Sequence, residues 1–242
     1  METVTIPQEY GRVKGAEWFQ HTLKKPVVLI GAGGIGSWVA LLLSRIGCNL
    51  HIFDHDSYEV HNLSGQLVSG KYIGTQKSYA VADIINQFSP NTTVTCYNKY
   101  LENSITNNVV ICGLDNMAAR KLAFRNWLSL VEKTSEEKRK FMFFQDGRLN
   151  AELLQIINIP GNNPEAIRRY QEEYLFDDEE VVEQDCTFKQ TSHCAAMIGS
   201  LMTTFFTNWV TNTYGEDSYR EVPFFYEFIA PLNMTTNERL VV

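Results

Sequence analysis

The chain contains no Cys-x-x-Cys pair, the spacing on which most structural zinc sites depend. Its five cysteines (Cys48, Cys96, Cys112, Cys186 and Cys194) are odd in number and follow no framework spacing. That excludes a disulfide scaffold and leads us to expect reduced thiols and a cytoplasmic location. No apolar run approaches the ~20 residues that span a bilayer, and METVTIPQEYGRVKG lacks a charged-then-apolar signal pattern, so no membrane association is expected. Basic residues are scarce, with 21 Lys and Arg against 28 Asp and Glu for a net charge of −7. Phosphate binding depends on basic surface, so the charge argues against nucleic acid as the main partner, while a small basic protein is not excluded. Internal repeats are also missing, as is any convincing second domain boundary. What remains is a chain of 242 residues, 44% hydrophobic and 12% aromatic, long enough to bury one sizeable α/β core.

The informative stretch is Pro26 to Asp56, PVVLIGAGGIGSWVALLLSRIGCNLHIFDHD. The apolar run Val27 to Ile30 predicts a buried parallel strand. Gly31, Gly33 and Gly36 follow in GxGxxG spacing, with Ile35, Val39, Leu42 and Ile46 at helical intervals and Gly47 closing the helix. A second strand, Asn49 to Phe53, ends at Asp54. This is the order of a βαβ nucleotide-binding unit. Glycines permit a tight turn and close approach of phosphate, the helix N-terminus faces the anion, and the acid reaches a ribose hydroxyl. An ordinary strand–turn–helix without ligand is the alternative.

Two details separate the motif from that of a dehydrogenase: the extra Gly34 and the serine of GAGGIGS, and the continuation FDHDSYEVHNLSGQ. With these, the chain resembles the ThiF/MoeB/HesA family of adenylyltransferases, relatives of ubiquitin-activating enzymes. The family's motifs read GxGGxGS, DxDxVxxSNLxRQ, a lysine on the next helix, and DxxDNxxxR. Here they stand as Gly31 to Ser37, Asp54 to Gln66, Lys77 in IGTQK, and CGLDNMAAR ending at Arg120. They span about the first 125 residues in family order. The resemblance implies an α/β, Rossmann-like ThiF/MoeB-type adenylation fold, a mostly parallel sheet with helices on both faces and an added C-terminal β region. We expect one adenylation domain over 1–242: a lead-in (1–25), a nucleotide-binding core (26–145), a crossover segment (160–192), and a final helix with C-terminal strands (193–242).

Pattern alone predicts further elements. Lys77 to Phe88 and Asn116 to Val131 are expected to be helices, Thr92 to Tyr97 and Val109 to Ile111 strands, and EKTSEEKRK a solvated connector. Phe141 to Phe144 and Glu152 to Ile159 are expected strands, with Asp146 to Arg148 as the turn between them. The acidic QEEYLFDDEEVVEQD precedes a long apolar helix, Ala195 to Asn212. VPFFYEFIAPLNMTTNERLVV predicts two strands around a Pro/Asn turn, either a sheet edge or a dimer contact. Its aromatics Phe224, Phe225, Tyr226 and Phe228 either supply an interface or fill the chain's own core.

By resemblance, the cofactors are ATP and Mg2+, without structural zinc. Gly31, Gly33, Gly34 and Gly36 cradle phosphate, Asp54 takes the ribose, and Asp56, Asn62, Gln66 and Asn116 complete the nucleotide site. Lys77 reaches the phosphates, the alternative being a solvated helix lysine. Asp115 holds magnesium, the alternative being a helix cap. Arg120 is expected to serve as an ion-pair partner. The family arginine falls at Gly65, and no glycine replaces a bidentate cation; Arg12, Lys14, Arg148 and Lys189 are the candidate substitutes. Cys186, in CTFK, resembles the family's thioester-forming cysteine, with an inert loop thiol as the alternative. Cys48, Cys96 and Cys112 are expected in the core, and Cys194 buried.

The expected activity is ATP-dependent adenylation of the C-terminal carboxylate of a small ubiquitin-like or sulfur-carrier protein by a homodimer. Other readings are an adenylyltransferase acting on a peptide or tRNA, a catalytically silent partner or scaffold subunit, and a nicotinamide dehydrogenase.

Overall fold

A computed structural model describes residues 6–99, 107–176, 190–215 and 219–240. Strand β1 (Pro26–Ile30) leads into helix α2 (Gly34–Arg45) and strand β2 (Asn49–Phe53), after a short α1 (Phe19–Thr22). Then come α3 (Lys77–Phe88), β3 (Val94–Tyr97), β4 (Val109–Cys112), α4 (Met117–Lys133) and a short exposed α5 (Glu136–Arg139). The chain continues through β5 (Phe143–Asn150), β6 (Leu153–Pro160), α6 (Pro164–Arg169), α7 (Ser192–Tyr214), β7 (Phe225–Ile229) and β8 (Met234–Glu238).

One eight-stranded sheet runs in the order β3-β2-β1-β4-β5-β6-β7-β8. The pairs from β3 to β5 are parallel, and those from β5 to β8 antiparallel. This is the mostly parallel α/β sheet with an added C-terminal β region expected from the sequence. The strand order reverses between β1 and β4, and open α/β sheets bind ligands in that crevice, beyond the carboxyl ends of the strands.

Alternating residues of β1 serve opposite faces. Val27 and Leu29 join the core under α2, α3 and α7, while Val28 and Ile30 join the one under α4 and α6. In α2 the buried stripe is Ile35, Val39, Ala40 and Leu43, one position away from the expected Leu42. Leu42 lies partly exposed. Helix α7 packs close to α2: at Gly199 a Cβ would fall 2.9 Å from Trp38 Cβ. Phe88, expected inward on α3, is 53% exposed.

The expected turn at Asp146 to Arg148 is instead the middle of β5. The β5–β6 ladder pairs all eight residues, from Phe143 with Pro160 to Asn150 with Leu153, and closes at Ala151 and Glu152. Ala151 takes the left-handed conformation at φ +53°. Asp-Gly is ordinarily a turn signal, but both residues serve packing here. A Cβ on Gly147 would meet Met202 Sδ at 2.5 Å, and Asp146 is fully buried in an ion cluster.

The expected crossover begins as folded structure. Asn163 caps α6 by accepting from Ala166 N–H, and Tyr170, in the wider turn that follows, is buried against Phe124 and Phe144. The C-terminal strands turn through Ala230–Leu232 and Asn233, the latter at φ +49°. Their aromatics lie largely against the chain's own cores. Phe224 is buried, Phe225 packs on Tyr174, and Tyr226 packs on Phe205. β8 forms the sheet edge, with Leu232 exposed at the turn before it and Met234 exposed at its start. Among the described residues no helix is long and apolar enough to cross a membrane.

Candidate nucleotide site

The glycine loop follows β1 and opens α2. Gly31 sits at φ +89°, and a Cβ there would lie 2.7 Å from Gly113 O, so β1 and β4 approach too closely for any side chain. Gly36 is closer still: a Cβ would stand 1.9 Å from Gly31 O. These two glycines permit the turn and the strand–helix approach. Gly33 and Gly34 keep the N-terminal amides of α2 uncovered by side chains of their own.

Asp54, at the end of β2, ties this loop down. Its Oδ2 accepts from Ala32 N–H at 2.6 Å and its Oδ1 from Asp56 N–H at 2.8 Å. Burial pushes its pKa up, and the two backbone donors oppose the rise. Tyr58 braces the loop from the other side by donating to Ala32 O at 3.0 Å. Ser37, the last motif residue, donates to Gly34 O and accepts from Leu67 N–H at 3.1 Å, fastening the segment after β2 to the start of α2. Within that segment, Asn62 is buried and completes a capping box with Glu59, so its side chain is used structurally.

Gln66 approaches Gly33: both polar atoms of its carboxamide lie 3.9 Å from a Cβ built there. Its Oε1 is buried without a hydrogen-bond partner, which marks an acceptor left open at the cradle.

Lys77, the first residue of α3, is 11% exposed at the side chain and pairs with Asp56 Oδ2 at 2.9 Å. Burial pushes the Asp56 pKa up, but the Lys77 ammonium overcomes it and holds the carboxyl below its usual range. Asp54, His55 and Asp56 bring three possible ligand atoms within 4.8 Å, yet Ala32 and Lys77 already engage the two carboxylates.

Asp115 is exposed beyond the carboxyl end of β4. It does not cap α4. Asn116 does, with Oδ1 accepting from Ala119 N–H at 2.8 Å while its Nδ2 donates to Asp115 Oδ1 at 3.3 Å. The structural alternative for Asp115 therefore falls to its neighbour. Arg120 donates to Leu114 O, just ahead of Asp115, and forms the expected ion pair, 3.6 Å from Asp146.

The space at Gly65 is taken by Gln190, a residue that none of the sequence motifs marks. A Cβ on Gly65 would fall 2.7 Å from Gln190 Nε2, and one on Gly34 1.9 Å from Gln190 Oε1. The only forewarning in the sequence is the missing arginine. Of the candidate substitutes, Arg148 is committed to Asp146 at 2.8 Å and to Tyr174 O. Arg12 and Lys14 are exposed on the turns before α1. Lys189 lies outside the described residues, as does Cys186. Cys48 and Cys112 are fully buried; burial pushes the Cys48 thiol up to about 12 and the Cys112 thiol up as well. Neither is a nucleophile at neutral pH. Cys96 is half-buried and Cys194 buried.

The site thus joins a glycine loop at a helix N-terminus, a half-buried acid fixing that loop, a lysine–aspartate pair, and an exposed aspartate across the switch point. The glycine loop at a helix N-terminus and the open Gln66 acceptor fit a nucleotide, with Gln190 standing against the loop at Gly34.

Ubiquitin-like modifier-activating enzyme 5 of Aedes aegypti is 27% identical over 139 residues, covering 50% of this chain and 33% of that protein. Adenylyltransferase and sulfurtransferase MOCS3-1 of Zea mays is 29% identical over 114 residues, covering 44% and 24%. The chain spans a third or less of the length of these relatives. Among solved structures, PaaA superposes with a TM-score of 0.67 at 15% identity, covering 92% of this chain and 66% of that one. E. coli MccB with ATP gives 0.62 at 13% identity, with the same coverages. At these identities the likeness is one of fold. The ThiF family profile matches residues 11–239, and the chain belongs to the ThiF family.

Proposed function

We propose that this chain binds Mg-ATP at the glycine loop and adenylates the C-terminal carboxylate of a small ubiquitin-like or sulfur-carrier protein. One observation carries the reading: Asp54, Lys77 and Asp115 accompany the glycine loop at the switch point of a ThiF-family sheet. Hydride transfer would have no use for the lysine or for Asp115. The names of the relatives, a ubiquitin-like modifier-activating enzyme and an adenylyltransferase and sulfurtransferase, point to the same class.

The chemistry joins the carboxylate to the α-phosphorus and expels pyrophosphate. The amides at the start of α2 hold phosphate oxygens. Asp54 orients the ribose through hydroxyls that donate to its carboxylate. Lys77, leaving Asp56, offers its charge to the phosphates. Asp115 would hold the magnesium ion, which neutralises charge growing on the departing pyrophosphate. A peptide in place of the carrier protein is the second reading, suggested by the fold shared with MccB, a microcin C7 biosynthetic enzyme solved with MccA. Calorimetry is the direct test: Mg-ATP binds and NAD does not. Tight NAD binding without ATP binding overturns the proposal.

Asp54 gives this reading a proton signature. In the free protein burial raises its pKa, whereas ribose hydroxyls donating to the carboxylate stabilise the charged form and lower it. Nucleotide binding should therefore release protons from Asp54 in the pH range where its carboxyl titrates. Calorimetry in buffers of different ionisation enthalpy reads the sign; proton uptake would contradict the role.

Cys186 is proposed as the carrier-accepting thiol. Cys186→Ala should abolish any reductant-sensitive carrier adduct yet leave ATP–pyrophosphate exchange intact. Unchanged carrier transfer in that variant, with no adduct in the wild type, would mean that the adenylate passes directly to its acceptor.

A further inference from the structure

Gln190 belongs to none of the expected motifs, yet its carboxamide spans two of the glycines of this region, Gly34 and Gly65. Its Oε1 abuts Gly34, the first residue of α2, and its Nε2 abuts Gly65. Gln190 itself forms a parallel bridge with Ala151 at the β5–β6 hairpin, and the next residue, Thr191, caps α7 by accepting from Cys194 N–H. The side chain therefore reaches the loop from a fixed base.

A helix N-terminus favours an acceptor, and an anion more than a neutral oxygen. A carboxamide oxygen beside Gly34 is a weak stand-in for a phosphate oxygen. An arginine in place of Gly65 would remove the room that Gln190 uses, since even a Cβ there comes within 2.8 Å of Gln190 Cγ. The loss of the arginine and the placement of Gln190 are thus one steric fact.

We propose that Gln190 is an affinity-setting residue of the nucleotide site, occupying the phosphate end of the glycine loop in the free protein and leaving it when a triphosphate binds. The proposal rests on the reading of this loop as a nucleotide site. It predicts opposite signs for two substitutions. Gln190→Ala removes the competitor and frees the space beside Gly34, and Mg-ATP should bind about five-fold tighter, the scale of one modest polar contact. Gln190→Glu places a better competitor, and a negative charge, at the start of α2, and Mg-ATP should bind about five-fold weaker.

A third variant approaches from the other side. Gly65→Ala puts a methyl group against the carboxamide without altering Gln190 itself. Gly65 sits at φ −125°, a conformation open to alanine, so this variant should also bind tighter. Calorimetry on the full chain, wild type and three variants, gives the Kd values directly. The expected order of affinity places Gln190→Ala and Gly65→Ala above the wild type, and the wild type above Gln190→Glu. If the wild type binds Mg-ATP and Gln190→Ala binds equally or more weakly, Gln190 is not a competitor, and the nucleotide site stands without it. If neither the wild type nor any variant binds Mg-ATP, the nucleotide reading falls and this inference with it.

Discussion

Replacing Asp115 with alanine is expected to lower carrier-dependent ATP–pyrophosphate exchange by about 10²–10³-fold while leaving the melting temperature within about a degree or two of wild type. The two halves of that expectation have separate causes. Asp115 is exposed beyond β4 and does not cap α4, a task that Asn116 performs through Ala119 N–H. Removing its carboxylate leaves no cavity, no buried charge and no broken cap. What is lost is the negative group proposed to hold magnesium where charge builds on the leaving pyrophosphate. Exchange at the wild-type rate would remove Asp115 from the site. A drop in exchange matched by a large loss of stability would mean that it acts through the fold.

Asp146→Ala should do the opposite, lowering stability by about 3–5 kcal/mol. Asp146 is fully buried, with Oδ2 accepting from Arg148 Nε at 2.8 Å and from Tyr170 OH at 3.0 Å, and with Arg120 Nε 3.6 Å from Oδ1. Truncation leaves two guanidinium groups close together, largely out of water, without their counter-charge. The loss spreads along the chain, because Arg120 also holds Leu114 O, and Arg148 holds Tyr174 O at 2.8 Å. Asp146→Asn keeps the shape and removes only the charge, so it should be intermediate. Denaturant unfolding measures both. A change below about 1 kcal/mol for the alanine variant would show that the arginines find other partners or water.

This cluster also marks where the sequence stops being legible. The turn signal of Asp146-Gly147 is local, but what decides it is distant: Met202 leaves no room for a Cβ on Gly147, and Arg120 and Tyr170 surround the aspartate. Short-range pattern therefore breaks a strand that tertiary packing makes continuous. The βαβ unit is readable for the opposite reason. Gly31 and Gly36, the β1 run and Asp54 all act on one another within 30 residues, so spacing carries their geometry. Within that unit the helix stripe slips from Leu42 to Leu43, which shares its core with residues of α7, far along the chain. Gln190 is invisible to motif reading for the same cause. Its meeting with Gly34 and Gly65 depends on the β5–β6 hairpin and the start of α7, which no local motif encodes. Asn116, grouped with the nucleotide residues on sequence grounds, has its side-chain oxygen engaged as the α4 cap, and Asn62 is likewise held in a capping box.

The central claim is that this chain activates a carboxylate with ATP. The most direct measurement is exchange of labelled pyrophosphate into ATP by the full chain, in magnesium, with small ubiquitin-like and sulfur-carrier proteins bearing either free or amidated C-termini. The expected result is exchange that requires magnesium and a free C-terminal carboxylate and that disappears with amidation. Mg-ATP binding without exchange for any free carboxylate, carrier or peptide, would contradict the claim and leave a nucleotide-binding partner subunit in place of an enzyme.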